Sequence, residues 1–121
     1  MNRLLKRIIF QLTLCLTLLV YSQENSGLDS LTEILQEQTD TTRINTLYQI
    51  FSKQVRQEPT KVKPYVDSLL HESKSLGYEK FIALAYKAEG LYHYYSSDYN
   101  NAETSYSKSI SIYREIANKI S

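Results

Sequence analysis

The sequence predicts an all-α protein built from antiparallel helix hairpins. Three observations carry that expectation. Gly and Pro are scarce, three and two in 121 residues, so the chain lacks the frequent turn signals of a many-stranded fold. Apolar residues recur at three- and four-residue spacing over most of its length, the period of a helix with one buried face. The chain also repeats itself with a period near 40 residues: Val62 falls on Ala102, Val66 on Tyr106, Leu70 on Ile110 and Leu76 on Ile116. A repeat of that length points to stacked helix pairs, because one hairpin is too thin to bury both of its faces.

Residues 1–22 have the layout of a secretory signal peptide. Arg3, Lys6 and Arg7 form a basic start, Ile8 to Tyr21 is an apolar run, and Val20-Tyr21-Ser22 offers a cleavage site after Ser22. The alternative is an inner-membrane anchor through residues 8–21, and that run is shorter than the roughly 20 residues a span needs. Cys15 follows Leu14 rather than a small residue, which argues against lipidation; it is the chain's single cysteine, so a cleaved product has no thiol. Three of the 14 basic residues and none of the 13 acidic ones lie in this leader, leaving a net charge of −2 beyond it. The charges are interspersed, which excludes a nucleic-acid footprint. The expected location is periplasmic or secreted.

Residues 23–39 are expected to be a polar tail, Gln23 to Gly27, and a short helix with Leu28, Leu31, Ile34 and Leu35 on one side. A first hairpin occupies 40–78. Asp40 is the expected N-cap of a helix from Thr41 to about Arg56, with Ile44, Leu47, Ile50, Phe51 and Val55 on its buried face. Gln57-Glu58-Pro59 ends it. The second helix starts between Thr60 and Lys63, because Pro64 is tolerated only in a first turn. It buries Val62, Val66, Leu69, Leu70, Ser73 and Leu76 and stops at Gly77. A second hairpin occupies 79–121, with Ser96-Ser97-Asp98 as its turn. Its small residues Ala83, Ala85, Gly90 and Ala102 are expected where the helices touch, and Tyr86, Tyr99, Tyr106, Ile110 and Tyr113 where bulk is needed.

Tyr86, Gly90, Tyr99, Ala102 and Tyr106 stand at the spacing of a tetratricopeptide repeat, and the stretch from Ala83 to Glu115 resembles that family. Arg43 to Gly77 resembles a degenerate first copy. The departures are Glu89 where the family has Leu or Ile, His93 for Tyr, and Ser109 for Ala. Glu89 is expected at an edge, or paired with Lys87 or a neighbouring helix, since a buried lone carboxylate is costly. The resemblance implies a short right-handed α-solenoid and a non-enzymatic protein–protein interaction module. Asp40 to Leu47, Gln57-Glu58-Pro59 and Ser75 to Tyr78 are also similar to the N-terminal sensor regions of bacterial histidine kinases and helix-turn-helix regulators. That likeness implies, as the alternative, a truncated sensor region in signal transduction. The last helix is expected to lack a polar outer face, so that either the chain is a fragment of a longer product or another copy or a partner covers it.

The family pattern puts the first helix of each pair on a concave surface. It would carry Tyr48, Ser52 and Val55 in the first repeat and Lys87, Leu91, Tyr94 and Tyr95 in the second, a groove for a protein or peptide partner. Lys87 matches the place of a basic residue that holds a ligand carboxylate. Leu91 stands where the accompanying Asn is expected, so a full carboxylate clamp is not implied. Enzyme chemistry finds no support. His71 and His93 lack the local spacing of a metal site. Ser105, Ser107, Ser109 and Ser111 have no nucleophile elbow, and no Gly-rich phosphate loop is present. No metal, cofactor or nucleic-acid partner is expected.

Overall fold

The computed structural model describes residues 2–37 and 39–120; the side chains at 13–26, 28, 29, 36 and 37 are outside the description. Five α-helices and one 3-10 turn, with no strand, make up the described residues: α1 Asn2–Glu37, α2 Asp40–Gln54, the 3-10 turn Pro59–Lys61, α3 Lys63–Leu76, α4 Glu79–Tyr95 and α5 Tyr99–Ile120. The chain divides into two units, Met1–Glu33 and Ile34–Ser121.

In the first unit the backbone is helical. Arg3, Lys6 and Arg7 share this helix with exposed Leu4, Leu5, Ile8, Ile9, Phe10 and Leu12. Most of the apolar run 8–21 and the cleavage site at Ser22 fall on side chains outside the description. Among the described residues, no helix is long and apolar enough to cross a membrane. Gln23 to Gly27, expected as a tail, is helical, and so is the segment from Leu28 onward. The expected short helix is therefore the C-terminal part of α1. One glycine at 27 costs a helix only about 1 kcal/mol, too little to break it.

The second unit is built on the predicted apolar faces. Ile44, Leu47, Ile50, Phe51 and Val55 are all buried, as are Val62, Val66, Leu69 and Ser73 from the next helix. Leu70 and Leu76 are half-buried. Burying a side chain such as Phe51 contributes about 2–3 kcal/mol, so this face is the main source of stability for the first hairpin. Leu35 of α1 joins this core, while Ile34 beside it is exposed. Arg43 fastens the end of the hairpin. Its Nε donates to Glu72 Oε1 at 2.6 Å, from α2 to α3, and its Nη1 donates to the Leu35 carbonyl at 2.7 Å. The start of α2 thus lies beside the end of α3, which makes the pair antiparallel.

Helix ends explain the boundaries. Asp40 is not the N-cap. Thr39 holds that position without a side-chain bond, and Asp40 is the first helical residue with a left-handed φ of 60°, a conformation Asp tolerates better than most residues. Pro64 lies in the first turn of α3, as its missing N–H requires, and the segment before it tightens into the 3-10 turn. Gly77 closes α3 with φ 72°. At the other hairpin Ser97 adopts φ 63°. The Asp98 N–H bonds the His93 carbonyl at 2.8 Å and the Ser97 N–H the Tyr94 carbonyl at 3.1 Å. These are the two bonds of a Schellman motif, with serine in the place glycine usually takes. Asp98 then caps α5: its Oδ1 accepts from the Asn101 N–H at 3.3 Å and its Oδ2 from Asn101 Nδ2 at 2.6 Å.

The second hairpin is held by close backbone approach. Ala83, Ala85, Ala88, Gly90 and Ala102 are buried. A Cβ on Gly90 would stand 2.7 Å from Tyr106 Cδ1 and Cε1, so the tyrosine ring lies flat on the glycine. Ser109 Oγ donates to the Ala83 carbonyl at 2.7 Å, Ser105 Oγ to Glu89 Oε1 at 2.6 Å, and Lys119 Nζ to Glu79 Oε1 at 2.8 Å. As the α4 number in these pairs rises from 79 to 90, the α5 number falls from 119 to about 105, so the helices run antiparallel. Helices adjacent in sequence pack on one another from α2 to α5, and α2 also packs on α4.

Candidate functional site

The predicted binding residues do not all reach the surface. Val55 is buried at 3% exposure and belongs to the core. The same periodicity that puts it on the α2 stripe with Phe51 turns it away from solvent, which removes it from the candidate face. Ser52 is exposed, with its hydroxyl donating to the Tyr48 carbonyl at 2.8 Å. Tyr48 is half-buried against Phe51, ring centroids 5.9 Å apart. On α4, Lys87 is exposed, Leu91 and Tyr95 are half-buried, and Tyr94 is 50% exposed.

What the structure assembles is a continuous group of tyrosines. Tyr94 stacks edge-on against Tyr95 at 5.3 Å and against Tyr99 at 5.6 Å. The Arg56 guanidinium, just past α2, lies 6.0 Å from the centre of the Tyr95 ring. Burial raises the Tyr106 phenol above its ordinary pKa, and the neighbouring phenols of Tyr95, Tyr94 and Tyr48 add to the rise. Tyrosines of α2, α4 and α5 therefore share one region, with an arginine at its border. Tyr99 was expected between the helices and is instead 61% exposed. As the first residue of α5 it has no preceding turn to pack under, and its ring rests on Tyr94. Arg56 and Tyr99 are the members of this face that the sequence pattern missed. The family spacing assigns Tyr99 to packing, and Arg56 lies beyond the last turn of α2.

The remaining calls sort by surroundings. Gly90 and Ala102 are buried and Tyr86 and Tyr106 half-buried, with Tyr106 against Gly90, while Ile110 and Tyr113 are exposed at 50% and 39%. Around Ile110 the outer surface of α5 carries Ser107, Ser111, Arg114, Glu115 and Asn118, a more polar face than expected. Glu89 pairs with the Ser105 hydroxyl rather than with Lys87, which is exposed. His71 is exposed; His93 Nδ1 lies 3.8 Å from Asp98 Oδ2 at the hairpin turn. Among the described residues no three His, Cys, Asp or Glu side chains gather as metal ligands.

The fold defines an all-helical chain of packed hairpins with an aromatic face. The chain matches no family model, no curated protein and no solved structure.

Proposed function

We propose that the chain is a protein-interaction module of the tetratricopeptide type, exported across the inner membrane, that holds a peptide segment of a protein partner on its tyrosine face. The observation that carries this reading is the surface group of Tyr94, Tyr95 and Tyr99 bordered by Arg56. Tyrosine supplies large contact area at low entropic cost and a hydroxyl for hydrogen bonding, the qualities that binding surfaces select. Lys87 and Arg56 give that face a basic border, which favours a peptide with an acidic group. Two packing features support the repeat class. Gly90 lies under the Tyr106 ring, at the two positions where the family pattern pairs small with aromatic. The first helices of the two hairpins, α2 and α4, also touch each other directly, as they do when hairpins stack.

Selection of peptides from a displayed random library against the purified chain tests the proposal. Selected peptides are expected to share a motif and to lose at least about tenfold in affinity for Tyr94→Ala and Lys87→Ala, a change of about 1.4 kcal/mol or more. Equal binding to wild type and both variants would refute it.

A further inference from the structure

Tyr86 stands eight residues before Tyr94 and nine before Tyr95, which at about 100° per residue turns it about 80° and about 180° from them around α4. Two lysines converge on its ring from different helices. Lys74 Nζ of α3 lies 5.2 Å from the ring centroid and Lys108 Nζ of α5 lies 5.3 Å from it. The two ammonium groups can therefore be no farther apart than the sum of these distances. Neither has a carboxylate to neutralise it. Leu70, His71, Gly77 and Tyr78 stand three and four positions from Lys74, and Thr104, Ser105, Ser111 and Ile112 from Lys108. Lys61 and Lys63, by contrast, pair with Glu58 and Asp67 at that spacing. No ion pair of Lys74 or Lys108 occurs among the described residues. A tyrosine ring attracts cations but carries no net charge, so it does not itself neutralise the two positive charges gathered here.

Beside Lys108 and the Tyr86 ring lies a hollow of about 380 Å³ lined by these two residues with Ser107, Ser111 and Ile112. Ser107 and Ser111, one turn apart on α5, each bring a hydroxyl that can donate. We propose that Lys74, Lys108, Ser107 and Ser111 form a binding site for a phosphate dianion, either free or as a monoester. Two ammonium groups match its double charge and the hydroxyls match its several acceptor oxygens. The Tyr86 ring of α4 draws the two ammonium groups to one place from α3 and α5. The carboxylates around it are Glu89, three positions from Tyr86 and bonded to the Ser105 hydroxyl one turn from Lys108, and Glu115 in the adjoining hollow, where Arg114 accompanies it.

The test is a titration of the isotope-labelled chain with inorganic phosphate, and separately with phosphoserine, followed by amide chemical shifts at constant ionic strength. Saturable shifts are expected at Ser107, Lys108 and Ser111. Lys74→Gln and Lys108→Gln are each expected to weaken binding about tenfold or more, Ser111→Ala by a smaller factor, and Lys53→Gln, on exposed α2 surface, not at all. Equal affinity for both compounds identifies free phosphate as the ligand; tighter binding of phosphoserine identifies a monoester. Melting of each variant by circular dichroism verifies that these exposed substitutions leave the fold intact. Shifts that do not saturate, or an affinity unchanged in both Lys74→Gln and Lys108→Gln, would overturn the proposal.

Discussion

Replacing Gly90 by alanine probes the seam of the second hairpin, because two effects of known size oppose each other there. Alanine is the better helix former by about 1 kcal/mol in a helix interior. Its Cβ would meet Tyr106 Cδ1 and Cε1 at 2.7 Å and Cγ at 3.0 Å. These atoms are the body of the ring, not a flexible tip, so the ring or the helix has to move. Overpacking of this kind costs about 1–3 kcal/mol. Taking the middle of that range, Gly90→Ala destabilises by about 1 kcal/mol, a fall of about 4–8 °C in melting temperature for a domain of this size. Tyr106→Leu removes the obstructing ring and destabilises on its own account. In that background the same Gly90→Ala change leaves only the propensity term and becomes stabilising by about 1 kcal/mol. The assay is urea and thermal unfolding followed by circular dichroism on the four proteins of the cycle. If Gly90→Ala stabilises both backgrounds equally, the two residues do not touch, and the register of α4 against α5 is wrong.

Other expectations concern the turns and the two buried serines of α5. Ser97 holds a left-handed φ that costs a non-glycine residue about 1 kcal/mol, so Ser97→Gly is expected to raise the unfolding free energy by about that amount. Gly77→Ala, at φ 72° with nothing within 4 Å of the added carbon, is expected to lower it by a similar amount from backbone strain alone. Ser105→Ala deprives the partly buried Glu89 carboxylate of its hydroxyl donor and is expected to cost about 1–2 kcal/mol. Ser109→Ala is expected to cost less than half of that, because its acceptor is a backbone carbonyl and Ala fits the position; denaturant midpoints at constant m-value compare the two. The side-chain and backbone hydrogen bonds from Asn101 hold the Asp98 carboxyl below its ordinary range. Its folded pKa is depressed, so its contribution is present above the ordinary carboxylate pKa and is lost as pH falls from there through the folded value. Asp98→Ala is expected to flatten that part of the acid unfolding curve, read as melting temperature against pH.

Much of the fold was legible because burial in a helix leaves a period in the sequence. Ile44, Leu47, Ile50, Phe51 and Val55 announce the inner face of α2, and each is buried. Pro64 and Gly77 bracket α3 because each residue has few places it can occupy. The places where the sequence misled are those decided by geometry between elements. Val55 fits the binding stripe and the core stripe equally well in sequence, and packing chose the core. For Glu89 the expected partner on a neighbouring helix is found, and only the hairpin's register could name it as Ser105. Tyr99 has the family's packing position but none of the enclosure, since it opens its helix. Asp40 and Thr39 differ as caps by one residue, and the left-handed φ at Asp40 gives no signal in composition. The sequence pattern carries this helix on to Arg56, but α2 ends at Gln54, so the turn after it, rather than helical spacing, sets where Arg56 lies.

The central claim is that a partner peptide binds on the tyrosines of α4 and the start of α5, beside Arg56. Calorimetric titration of a library-selected peptide into wild type, Tyr95→Ala and Tyr113→Ala tests it most directly. Tyr95 borders Arg56 on the proposed face, whereas Tyr113 is an exposed tyrosine of α5. The account predicts a loss of at least about tenfold in affinity for Tyr95→Ala and wild-type affinity for Tyr113→Ala. Full affinity in Tyr95→Ala, or an equal loss in Tyr113→Ala, would contradict it.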